Sequence, residues 1–240
     1  MDEEQTAMVF ITGDTHGRMG RLSSFLSRMK PAKDDIMIIL GDVGLNYYGS
    51  PRDDKTKEEL AGWPNIFFCI HGNHEMRPAA IKRYRLLEWH GGQVWVEDRY
   101  PNILFAKDGE IYDIAGKQCI VIGGAYSVDK YYRLRMGYPW FEDEQPSDEI
   151  KAYVESQLKK RDWKIDIVLS HTVPWQYMPT DMFISGIDQS SVDQSTEEWL
   201  RDIESKLSYE WWYAGHYHTS RIVDKVQIMF EEIEEFKGGR

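Results

Sequence analysis

The stretch AMVFITGDTHGRMGRLSSFLSRMKPAKDDIMIILGD, residues 7–42, carries the reading on which the fold turns. Its first apolar, β-branched run closes at Asp14. Met19, Leu22, Leu26 and Met29 then recur at helical spacing, and Pro31 follows the end of that pattern. DDIMIILGD (34–42) reads as a second buried strand, stopping at Asp42. Strand, helix and strand in this order predict a βαβ unit in a mostly parallel sheet. NIFFCIHGNHE (65–75) continues it with a strand that ends at Asn73 and His74.

Downstream the pattern changes. VWVEDRY (94–100), NILFAKDGEIYDIAG (102–116) and KQCIVIGGAYS (117–127) are short runs between Gly, Asn and Asp turns, which suits an antiparallel meander. SDEIKAYVESQLKKRDW (147–163) reads as a helix with Ser147 as its N-cap and acids in its first turn. KIDIVLSH (164–171) is a buried strand ending at His171. STEEWLRDIESKLS (195–208) is an amphipathic helix capped by Ser195 or Thr196. WWYAGHYH (211–218) and RIVDKVQIMFEEI (221–233) supply closing strands. No repeat or linker interrupts the chain, so residues 1–240 read as a single α/β domain.

Composition narrows the class. A chain of 240 residues with 42% apolar and 29% charged residues buries a sizeable core. Its net charge of -11 argues against an electrostatic grip on bulk nucleic acid or an anionic membrane. The two cysteines, Cys69 and Cys119, sit in apolar runs without zinc or disulfide spacing, and a reducing cytoplasm is expected. No signal peptide or membrane span is read from the sequence.

The strand ends are chemically alike. They carry Asp14-Thr15-His16, Asp42, Asn73-His74, His171 and His216-Tyr217-His218. Ligands bind outside the carboxyl ends of parallel strands. Two carboxylates, one amide oxygen and four imidazoles would therefore gather there. Oxygen and nitrogen donors without thiolate suit two divalent or mixed-valence ions such as Mn, Fe, Zn or Co, with a shared carboxylate. In a strand, His216 and His218 would face one way. Of the seven histidines, His90 in LLEWHGG (86–92) reads as a solvated helix C-terminal residue, and His71 as a packing residue.

In order, GDTHG, GD, GNHE, the lone His171 and GHYH resemble the motifs of the calcineurin-like metallophosphoesterase family, over residues 13–218. The resemblance implies an αββα sandwich, two mixed β-sheets flanked by helices. It implies one ion held by Asp14, His16, Asp42 and His218, and a second by Asp42, Asn73, His171 and His216. It further implies a metal-bridging hydroxide as nucleophile and His74 as general acid. Glu75 would orient neighbouring groups or serve as a helix N-terminal acid.

The family's protein serine/threonine phosphatases typically read Gly-Asp-x-x-Asp-Arg-Gly at the second motif. Here Leu45 and Asn46 stand in place of the Asp-Arg pair, and His71 replaces an arginine before GNHE. Phosphate contacts are expected instead from Asn73, Arg18, Asn46, Arg77, Lys130 or Arg133. YSVDKYYRLRMGYPWF (126–141) reads as a substrate lid within 125–147, and LNYYGSPRDDK (45–55) as a second rim. The expected substrate is a small phosphomonoester, phosphodiester or nucleotide. A protein phosphatase, a non-catalytic scaffold and a nuclease are the competing readings. Oligomeric state is not legible.

Overall fold

The computed structural model describes residues 7–49, 51–183 and 189–236. In chain order the elements are β1 (Val9–Thr12), α1 (Gly20–Met29), β2 (Ile36–Ile39), α2 (Pro51–Ala61), β3 (Ile66–Cys69), β4 (Tyr84–Trp89), β5 (Gly92–Glu97) and β6 (Ile103–Ala106). They continue with β7 (Ile111–Ile114), β8 (Lys117–Ile122), α3 (Lys130–Met136), α4 (Asp148–Lys159), β9 (Ile167–Ser170), α5 (Ser195–Glu204), β10 (Trp211–Ala214), β11 (Arg221–Val223), β12 (Val226–Ile228) and β13 (Ile233–Glu235).

Two mixed sheets result. One runs β13-β1-β2-β3-β6-β5-β4 and the other β11-β12-β10-β9-β8-β7. Strand alternation divides the apolar residues between two environments. Ile36, Ile38 and Leu40 face the other sheet, where Val121, Leu169 and Tyr213 meet them. Met37 and Ile39 point outward, onto Leu22 and Leu26 of α1 and Leu60 beside them from α2. Ile120, Val168 and Trp212 of the second sheet likewise pack on Val154 and Leu158 of α4 and Leu200 and Ile203 of α5. This is the αββα sandwich. Both cysteines are buried and free.

The register brings the chemistry to one edge. Parallel pairing sets Thr12 beside Ile39 and Ile39 beside Cys69. In the other sheet Ser170 lies between Ile122 and Ala214. β1, β2 and β3 therefore finish level in one sheet and β8, β9 and β10 in the other, and the donor-bearing residues that follow them share a single rim. The Leu40 carbonyl accepts from His171 Nδ1 at 2.8 Å, joining the two sheets there.

Several local expectations change. The meander is split: β4, β5 and β6 extend the first sheet, while β7 and β8 form a hairpin in the second. His90 lies in the β4–β5 turn at φ 48° with its ring tilted against Trp89, so LLEWHGG is a hairpin and not a helix end. Its two glycines permit the tight reversal that a helix ending would also have used. Met29 is exposed, and the buried stripe of α1 closes at Leu26. Ser147 caps α4 through Ile150 N. At α5, Asp193 Oδ1 accepts from Ser195 N at 2.9 Å and takes the role expected of Ser195 or Thr196. RIVDKVQIMFEEI divides into β11, β12 and the start of β13, which crosses to the other sheet.

Candidate metal centre

The first donor cluster is built from Asp14, His16 and His218. The Nε2 atoms of the two histidines stand 2.8 Å apart. Asp14 Oδ2 lies 3.4 Å from His218 Nε2 and 3.7 Å from His16 Nε2. That oxygen is buried without a hydrogen-bond partner, while Asp14 Oδ1 accepts from His216 N at 2.9 Å. A buried carboxylate oxygen with no donor is costly unless a cation faces it.

The second cluster adjoins it. Asn73 Oδ1 is 2.8 Å from His171 Nε2 and 3.1 Å from His216 Nδ1. Asn73 Nδ2 donates to Ser127 Oγ at 2.8 Å, which turns the amide oxygen inward. His171 spends Nδ1–H on Leu40 and so presents Nε2 as a lone pair, the arrangement found in metal-ligating histidines. Asp42 stands between the clusters: Oδ2 is 3.8 Å from His171 Nε2 and 3.9 Å from His16 Nδ1. Its Oδ1 accepts from His74 N at 2.8 Å.

Backbone conformation carries the same message. His16, Asp42, His216 and His218 all have left-handed φ, at 48°, 46°, 72° and 49°. Such angles are uncommon for residues with a Cβ and collect at functional sites, at about 1–3 kcal/mol each. They also correct one expectation. β10 ends at Ala214, so strand alternation does not aim His216 and His218. The left-handed turns send the two rings to different clusters. Gly72 fits because a Cβ there would overlap Asp42, and Gly41 because its φ is 98° and a Cβ would overlap His171.

Electrostatics suits cations. Burial pushes Asp14 upward, but the His218 ring 3.4 Å away and the other surrounding imidazoles outweigh it and hold the carboxyl below its ordinary value. Asp42 is likewise held low against burial by His171, His74 and His16. Burial pushes His216 down to about 3, leaving the neutral ring that a metal requires. Groups of Asp14, His16 and His218, and of Asp14, Asp42 and His171, are close enough to hold an ion. The donor set and the orphaned Asp14 oxygen fit hard-to-borderline divalent ions.

His74 lies beside this centre, with Nδ1 4.0 Å from Asp42 Oδ2. Arg133 NH2 donates to His74 Nδ1 at 2.6 Å, and Arg133 also bonds Asp129 Oδ2 at 2.7 Å and the Tyr47 hydroxyl at 3.0 Å. Asp129 Oδ1 is 3.6 Å from His74 Nε2. Burial raises the Asp129 carboxyl, but His74 and Arg133 bring it down to about 2. Asp129 escaped the sequence reading, although its i,i+4 spacing to Arg133 on a helix was a usable signal. The helix α3 itself falls inside the segment read as a lid.

Asn46, Arg77 and Lys130, also expected at the phosphate, have contacts of their own. Asn46 is buried and accepts from the Tyr84 hydroxyl at 3.0 Å. Arg77 bonds Asp143 O at 2.8 Å and Asp108 Oδ2 at 2.5 Å. Lys130 Nζ sits 4.1 Å over the Trp140 ring, and Arg18 is exposed. Glu75 is fully buried, accepts from Gly72 N and begins no helix; burial, then Asp42, pushes it up to about 8. His71 is buried with neither ring nitrogen bonded, and burial followed by Arg77 holds it neutral.

Two clefts open on the centre. One of about 410 Å³ reaches Asp42, Asn73, His74, His216 and His218. The other, about 230 Å³, is lined by His16, His74, Tyr47, Arg52 and Arg133. No helix among the described residues is long and apolar enough to cross a membrane.

The family model described as calcineurin-like phosphoesterase matches residues 7–220. No curated protein matches the chain in sequence. Among solved structures, the chain is similar to the phosphopantetheinyl hydrolase of Mycobacterium tuberculosis, at 15% identity over 93% of this chain and 88% of that one, TM-score 0.52. TT1561 of Thermus thermophilus matches at 12% identity, 97% and 100% coverage, and TM-score 0.49. At 15% identity the likeness to the hydrolase is one of fold.

Proposed function

The chain belongs to the calcineurin-like phosphoesterases, and from that premise we propose that it is a two-metal-dependent hydrolase of phosphate esters. The observation that carries this reading is the meeting of Asp14, His16, Asp42, Asn73, His171, His216 and His218 at one rim, within hydrogen-bonding or ion-pair reach of one another. Asp14, His16, Asp42 and His218 would hold one ion, and Asp42, Asn73, His171 and His216 the other. Mn, Fe, Zn and Co all suit this donor set. Bound there, the ions supply Lewis acidity toward the phosphoryl oxygens and lower the pKa of an attacking water.

The chain's own residues do the rest. Asp42 serves as the shared carboxylate. His74 donates the proton that the departing alkoxide needs, through its side chain at the mouth of both clefts. Arg133 and Asp129 fix that ring from either side, and Arg133 contributes positive charge toward the phosphoryl group. Ser127 keeps the Asn73 oxygen turned inward. The segment 125–147 acts as the wall that carries these groups, and the whole chain acts as one domain in the cytoplasm.

The complete donor set and His74 favour an enzyme over a non-catalytic scaffold. Leu45 and the buried Asn46, in place of an Asp-Arg pair, favour small esters over phosphoproteins. Turnover of p-nitrophenyl phosphate or its bis ester, lost on chelation and restored by Mn, tests the reading. Absence of turnover with every one of these metals would overturn it.

A further inference from the structure

The two clefts at the centre differ in chemistry. The smaller is polar and carries Arg52 and Arg133 beside His16 and His74. The larger holds Val128, Met178, Met182 and Val192 against the donor residues, with no lysine or arginine among its described lining residues. Its charged groups away from the metal donors and His74 are carboxylates. Among the described residues Asp193 bonds Gln145 and Ser195, with Lys151 acting on it from beyond ion-pair distance, and Glu197 bonds the Thr172 hydroxyl. Asp129, at the boundary, is already paired with Arg133.

A group entering the larger cleft thus loses water to apolar side chains and meets two carboxylates that have no ion-pair partner among the described residues. An uncharged apolar group gains from this burial. A second phosphate or a carboxylate would be desolvated facing the Asp193 carboxylate, joined above about pH 7 by that of Glu197. Resting on the phosphoesterase reading, we infer that the organic group of the substrate is an uncharged, apolar alkyl or aryl chain seated in the larger cleft. Nucleoside polyphosphates and other multiply anionic esters are excluded from it, while the arginine-bearing cleft takes the polar side of the phosphoryl group. The volume of about 410 Å³ accommodates a chain of several carbons or a substituted ring.

The test uses the full chain loaded with Mn at about pH 8. Hexyl phosphate, glycerol 3-phosphate and the ω-carboxylated hexyl ester are offered, each as a monoester and as its methyl diester. Hexanol is the poorer leaving group compared with glycerol, so a preference for its ester cannot come from intrinsic reactivity. The expected kcat/KM for the hexyl ester exceeds that for the glycerol ester by about 10- to 100-fold, the factor for burying one large apolar side chain. The carboxylated ester falls below the hexyl ester, and Asp193→Asn with Glu197→Gln narrows that gap. Binding is measured in parallel by calorimetry with methyl-, hexyl- and ω-carboxyhexylphosphonate, none of which can be hydrolysed. Hexylphosphonate should bind at least tenfold more tightly than methylphosphonate with a negative heat-capacity change, and Met178→Asp should abolish the difference. Equal affinity for the hexyl and methyl compounds, or tighter binding of the carboxylated one, overturns the inference. Selective binding without any turnover would leave it standing and defeat the hydrolase reading instead.

Discussion

Replacing Arg133 with methionine removes a guanidinium that is only 8% exposed while keeping most of its apolar stem. Four contacts go with it: His74 Nδ1 at 2.6 Å, Asp129 Oδ2 at 2.7 Å, the Tyr47 hydroxyl at 3.0 Å and Pro139 O at 3.1 Å. The first two bear on chemistry, because they fix the ring that delivers the proton. A hydrogen bond to a charged group contributes about 1.5–3 kcal/mol, which corresponds to a rate loss of about 10- to 100-fold. Steady-state hydrolysis of p-nitrophenyl phosphate should show that loss in kcat, with metal content by mass spectrometry unchanged. Arg133→Lys should recover part of it, since the charge returns without the fork that spans His74, Tyr47 and Asp129. A variant with kcat within twofold of the parent and a lowered melting temperature would refute the reasoning, placing Arg133 as a strut for α3 alone.

Further tests separate proton delivery, metal binding and stability. His74→Ala should lower turnover by about 100-fold or more and keep both ions; loss of metal would reassign it as a ligand. Asp42→Asn should lower occupancy at both positions together, whereas emptying of one alone would argue against a shared carboxylate. Lys57 and Glu97 form a buried ion pair, with Arg83 Nε 3.5 Å from the second Glu97 oxygen, so Lys57→Met should cost up to about 3–5 kcal/mol, or up to about 6–10 °C in melting temperature. Pairing it with Glu97→Leu should restore most of that, and an unrecovered double variant would count against an uncompensated charge as the cause. Burial pushes the Glu197 carboxyl up to about 7 from 4.5. The stability it contributes is present below pH 4.5 and is lost as pH rises toward 7, because the unfolded chain ionises first. Glu197→Gln should therefore gain up to about 3 kcal/mol over the parent across that window; parallel melting curves at every pH would refute the shift.

Much of the site was legible because its donors are tied to local signals. Each of Asp14, Asp42, Asn73 and His171 closely follows an apolar run that has no choice but to be a buried strand. The residues expected to grip the substrate were less legible, since an arginine or an asparagine in a loop has no periodicity. Asn46 turned into the core toward Tyr84, and Arg77 toward Asp108 and Asp143. Nothing within ten residues of either announces those partners. Asp129 was hidden for the same reason: its meaning comes from His74, 55 positions earlier.

Continuous apolar runs determined the strands and their burial on both faces, and the polar residues just past them marked the candidate metal donors, because both are properties of the local chain. Parallel register levelled three strand ends in each sheet, and left-handed turns at His16, Asp42, His216 and His218 then aimed the side chains. Those turns are tied to residues far along the chain, His16 N to Asp42 O and His216 N to Asp14 Oδ1, so no short segment encodes them. The difference between the arginine-bearing cleft and the apolar one arises the same way. Each is assembled from segments distant in sequence, and charge in a cavity depends on which side chains meet there.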